Sequence, residues 1–144
     1  MEQKICGALN PMCDKAQEHA ENYYESIRNK DYPTDILYIS KNTNFTIEQV
    51  SMIRDYIFTG YHLLSTGFSR FEPCYEMAES WRRLSSKEGK YYEHDALMLF
   101  HELYELKLVS NGTSQEKAHE LASQQYDYQT ASDAFYSQLK LKNK

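Results

Sequence analysis

Residues 91–109, YYEHDALMLFHELYELKLV, decide how this sequence is read. Leu97, Phe100, Leu103 and Tyr104 return at helical spacing, which predicts a helix that buries their stripe. His94, Met98, His101, Glu105 and Leu108 form a second stripe beside it. The helix would therefore carry two imidazoles and a carboxylate in one row. HELYE at 101–105 also copies most of the H-E-x-x-H word of zinc-binding helices. Glu105 stands where the second histidine would be, and Glu102 where the general base would be.

Working outward, Asn111-Gly112 stops this helix, and residues 113–116 (TSQE) read as a capping box for the next. Ala118, Leu121 and Ala122 point inward there, with His119 on a neighbouring stripe. Ala131, Phe135 and Leu139 mark a last amphipathic helix before a basic end. On the other side, Pro73 fits the first turn of a helix whose buried face is Cys74, Met77, Ala78, Trp81 and Leu84. Trp81 reads as a core anchor, and Arg82 and Arg83 as a solvated face. Nearer the N-terminus, Ala16, Ala20, Tyr23, Tyr24 and Ile27 share a face of a helix starting near Asp14. Thr34 or Asp35 can cap a short helix. Thr46 and Gln49 form a second capping box, opening a helix that runs to about Phe58.

Residues 35–57 have the outline of a DNA-reading helix-turn-helix, but Glu48 at the start of the second helix would repel phosphate. A packing corner is the better reading. His62 falls in an expected loop, and no segment alternates well enough to be a strand. The expected fold is all-α, a compact bundle of six or seven helices in a single domain over residues 1–144. Residues 1–13 are expected to be extended or irregular, and 140–144 a frayed basic end.

The chain has 144 residues and a net charge of -5, which argues against a general nucleic-acid binder. Its 13 tyrosines bring hydroxyl tips into the core that need partners. Cys6, Cys13 and Cys74 cannot all pair, and reduced thiols in a cytosolic setting are expected. The N-terminus shows no signal peptide, and no run approaches the roughly 18 apolar residues of a membrane span.

Four blocks carry a family likeness: CGALNP near the start, RFEPCYEMAESWRRL at 70–84, HDALMLFHELYE at 94–105 and KAHELASQQYDY at 117–128. In order and spacing they resemble the C-terminal region of head-morphogenesis (minor head, minor capsid) proteins of the Mu F type, from phages and prophages of Gram-positive bacteria. The head-assembly region of such proteins has no counterpart in these residues. The resemblance implies a phage-derived helical module, acting by protein binding in the virion or in the host cytoplasm. C-terminal extensions in that family are often toxin domains, which implies an effector as the alternative.

Two chemistries fit an effector. His101, Glu105 and His119 could hold zinc, with one coordination position left for water. Without metal, His94 or His101 could act as acid and base, with Glu105 orienting an imidazole, Glu102 and His119 alongside, and Arg70, Arg82 or Arg83 holding a phosphate. That would be a nuclease constellation, with nucleic acid entering only as substrate.

Overall fold

The computed structural model describes residues 13–142, and the helices assemble around Trp81, which is wholly buried. Its indole N–H donates to Asp35 Oδ2 at 2.9 Å, and Phe58 packs edge-on against the ring at 5.2 Å. Tyr24 continues the aromatic stack onto Phe58. Aromatic edge contacts of this kind add about 0.5–1.5 kcal/mol each beyond the area they bury.

Seven α-helices lie among the described residues: α1 (Asp14–Arg28), α2 (Thr34–Asn42), α3 (Ile47–Arg54), α4 (Tyr75–Leu84), α5 (Glu93–Ser110), α6 (Gln115–Gln125) and α7 (Tyr128–Lys142). The fold is therefore the all-α bundle expected. The helix-turn-helix outline of α2 and α3 is a packing corner: Arg54 is spent on Asp35 at 2.8 Å and on the carbonyl of Ile27. Thr46 and Gln49 make both bonds of the capping box.

Several expectations are corrected. A two-stranded antiparallel hairpin, β1 (His62–Leu64) and β2 (Gly67–Ser69), occupies the stretch read as loop. Three-residue strands are too short to show alternation, and Gly67 at φ +125° closes the turn. Helix α6 is capped by Ser114, whose side chain accepts from the Lys117 amide, one place later than the box predicted. Arg83 is not solvated but pairs with the buried Asp95. Cys13 is held in a disulfide, while Cys74 is a free thiol.

The most instructive correction concerns α5. His94, Met98, His101 and Glu105 are buried, whereas Phe100 of the apolar stripe is 45% exposed and Leu97, Leu103 and Tyr104 are only partly covered. The second stripe, not the first, faces the interior. Helices α3, α4, α6 and α7 all pack against α5. A helix surrounded in this way can bury a polar row, provided that each polar atom finds a partner.

Candidate metal centre

Glu105 lies near the middle of α5, and its neighbours come from three other segments. The first is the end of α3, where the chain passes into a single π-helical turn, Asp55–Thr59. The amide of Gly60 reaches back to the carbonyl of Asp55, five residues away. This turn buries three consecutive side chains, Tyr56, Ile57 and Phe58, which a regular helix would spread around its circumference. Phe58 goes to Trp81, and the Tyr56 hydroxyl donates to Glu105 Oε2 at 2.6 Å.

The second segment is the start of α6. Gly112 at φ +105° turns the chain through a conformation that L side chains rarely adopt, and α6 folds back along α5. Gln115 then donates to Glu105 Oε2 at 3.1 Å, and His119 places Nδ1 3.0 Å from Oε1. The third segment joins α6 to α7, where the carbonyl of Tyr126 lies 3.0 Å from His101 Nδ1.

That last contact fixes the chemistry of His101. A carbonyl only accepts, so Nδ1 carries a proton, and the neutral ring keeps its lone pair on Nε2. Nε2 lies 3.1 Å from Glu105 Oε1. Burial works against ionisation of Glu105, but hydrogen bonds from His101, His119, Tyr56 and Gln115 outweigh it and hold its carboxyl down at about 2. The contact between Nε2 and Oε1 is attractive only with a cation between them: a proton on Nε2, which makes the hydrogen bond that helps hold Glu105 down, or a metal ion in that proton's place.

The donor set suits a metal. His101, Glu105 and His119 offer two nitrogens and one oxygen within 4.8 Å of one another. Tetrahedral zinc, with bonds of about 2.0–2.1 Å, spaces its donors roughly 3.4 Å apart. The two histidine–carboxylate contacts are already near that spacing. The side chain of His119 is 60% exposed and has room to move. The Tyr126 carbonyl behind His101, and Tyr56 and Gln115 behind Glu105, supply the outer hydrogen bonds that orient metal ligands.

Glu102 sits beside this group, with Oε2 3.9 Å from His101 Nε2. Burial first, and the charge of Glu105 second, push its carboxyl well above the ordinary range. It shares one wall of a cavity of about 260 Å³ with Glu105, Gln115 and His119. His101 is not part of that wall and meets the cluster through Nε2 alone. The hydrogen bond that His119 donates to Glu105 raises His119 above the usual histidine range, against a smaller effect of burial.

The other candidates lie elsewhere. His94 is two turns along α5, roughly 10 Å away along the helix axis, stacked with Tyr92 and Tyr128. Burial lowers its basicity, opposed by Asp95 and helped by Arg83. Arg83 holds Asp95 with two bonds, at 2.8 and 2.9 Å. Arg70 lies over the ring of Tyr61 and donates to the carbonyl of Thr59. Among the described residues no arginine or lysine lines the cavity beside Glu105, so neither Arg70 nor Arg83 is brought there to hold a phosphate.

Tyr56 and Gln115 are the members of the site that sequence reading missed. Tyr56 is 49 residues from its partner, and nothing in the local pattern announces a π turn. Gln115 was legible only as part of a helix cap. Comparison with known protein families, with curated proteins and with solved structures returns no match for this chain.

Proposed function

We propose that this chain is a small metal-dependent hydrolase, with zinc held by His101, Glu105 and His119 and water activated beside Glu102. The observation that carries the reading is the convergence of three donors from α5 and α6 on one point, each with its outer hydrogen bond or its room to adjust. A dication there supplies the positive charge that the contact between His101 and Glu105 calls for. A cation held there would also favour ionisation of Glu102, because a nearby positive charge opposes the effect of burial. The Glu102 carboxylate then takes a proton from the attacking water and delivers it to the leaving group.

The acidic wall supports hydrolysis of a neutral bond rather than a phosphodiester. The sequence likeness to Mu F-type minor head proteins supports a phage-derived effector acting in a bacterial host as its setting. The test is direct. Chain purified without chelator and given zinc should retain about one ion per molecule, while His101→Ala and His119→Ala should not. Wild type should slow growth when expressed in a bacterium, and Glu102→Gln should not. Failure to retain zinc at this site would sink the reading.

A second reading, a protein-binding module of the virion or host cell, is favoured by the hairpin. Leu63 and Phe68 are 74% and 69% exposed, and Tyr61 stacks on Phe68 at 6.0 Å. A cluster of this kind at a hairpin is the sort of surface that partners cover. Capture of a phage or host protein that is lost with Leu63→Ser and Phe68→Ser, but kept with His119→Ala, would select this reading over the first.

A further inference from the structure

The cavity beside the three-donor group is divided, and the division points to a substrate. Beside the polar residues, Ile57, Phe71, Met77 and Tyr24 supply an apolar lining. At about 260 Å³ this space exceeds the 150 Å³ or so of an engineered cavity that accepts benzene. It therefore suits one large apolar side chain. A second cavity, of about 540 Å³, shares Phe71, Glu72 and Gln115 with the first and extends along Leu64 of the hairpin to Glu116. The two cavities adjoin at these three side chains and together offer more room than a single small ligand needs.

Charge narrows the choice. Glu72 is exposed and lines both cavities, and Glu116 lines the second, while no lysine or arginine among the described residues lines either. Nucleic acids are bound through cationic side chains that neutralise phosphates. The carboxylates of Glu72 and Glu116 repel a polyanion and favour a neutral or basic chain.

We infer that the substrate is a peptide, with a bulky apolar residue seated between Ile57, Phe71 and Met77 and basic residues lying along Glu72 and Glu116. This rests on the hydrolase reading above. The balanced step is addition of one water: its oxygen bonds to the carbonyl carbon, the C–N bond breaks, and the proton removed from water goes to the departing amine.

The experiment uses the full chain reconstituted with zinc and a quenched-fluorescence peptide library varied on both sides of the bond. Cleavage should favour Leu, Phe or Met at one position and Lys or Arg further along. Met77→Trp fills the apolar end and should lower kcat/KM on Leu and Phe peptides about tenfold or more, a loss typical of a misfitted apolar pocket, with zinc content unchanged. Glu72→Lys, an exposed change that folding tolerates, should shift preference from basic towards acidic peptides. If zinc binds but no peptide is cut, or single-stranded RNA or DNA is cut instead, the peptide inference is overturned while the metal centre stands. If zinc does not bind, both fall.

Discussion

Two buried carboxylates on α5 invite comparison, because each has a histidine and several donors around it. Asp95 accepts from Arg83 twice, from the Ser80 hydroxyl at 2.6 Å and from the Tyr92 amide at 2.9 Å. Every one of these partners can only donate to it, so its lone pairs are used up by protons. Glu105 also has four partners, but two are imidazole nitrogens that can equally bind a metal. Beside Glu105 lie the carboxyl of Glu102, which has no hydrogen bond among the described residues, and a cavity. Beside Asp95 the space is filled by Ser80, Tyr128 and His94. Saturation by fixed donors makes a structural pin, whereas bonding capacity left over makes a site.

The largest effect should come from the pin. Asp95→Ala leaves the Arg83 guanidinium, 13% exposed, without its counter-charge. Orphaning a buried charge costs about 3–5 kcal/mol, read as the fall in urea unfolding free energy. Glu105→Ala in metal-free protein should cost less, about 1–3 kcal/mol, since it orphans only neutral donors and a histidine that reaches solvent. Equal losses would erase the distinction between the two regions.

Zinc should separate the regions more cleanly. At a concentration 100 times Kd, a ligand specific to the folded state adds about 2.7 kcal/mol. Wild type should therefore melt several degrees higher with zinc. His94→Ala should keep that increment and His119→Ala should lose it. A His119→Ala protein that zinc still stabilises would place the metal elsewhere.

Much of this was legible in the sequence, for physical reasons that can be named. Thr46 and Gly112 announced helix ends because capping and left-handed turns are local chemistry. The approach of His119 to Glu105 followed from a tight turn between two helices. What could not be read was which face of α5 looks inward. Counting apolar residues favoured Leu97 and Phe100, but burial was decided by helices packing from several sides. Tyr56 was hidden for a similar reason, because a π turn is stabilised by tertiary packing and leaves no periodic trace. Arg83 looked solvated because its partner, Asp95, lies across a connection whose path the sequence does not give.

The acid limb tests the Glu105 side of the comparison. Its folded carboxyl titrates at about 2, below the ordinary value of 4.5, so it contributes stability that is complete above 4.5. That contribution should drain away as the pH falls from 4.5 towards 2. Glu105→Gln in metal-free protein should flatten the stability profile in this window.

Glu102 gives the smallest effect and the most specific one, because its sign is opposite. Its folded carboxyl titrates above 4.5, so burial costs stability once the unfolded chain ionises and the folded one does not. The penalty is absent below about pH 4 and grows as the pH rises through 4.5 and beyond. Glu102→Gln removes the ionisation and keeps the shape, so metal-free variant and wild type should match at pH 4. By pH 8 the variant should be the more stable of the two, read as a higher Tm. Zinc should narrow that gap, because a dication beside Glu102 offsets the cost of its charge, while turnover is abolished. A residue that weakens the fold when ionised and is needed only for turnover is serving chemistry rather than packing. Should Glu102→Gln instead destabilise the protein at pH 8, Glu102 would belong with Asp95 as a pin, and the contrast between the two ends of α5 would vanish.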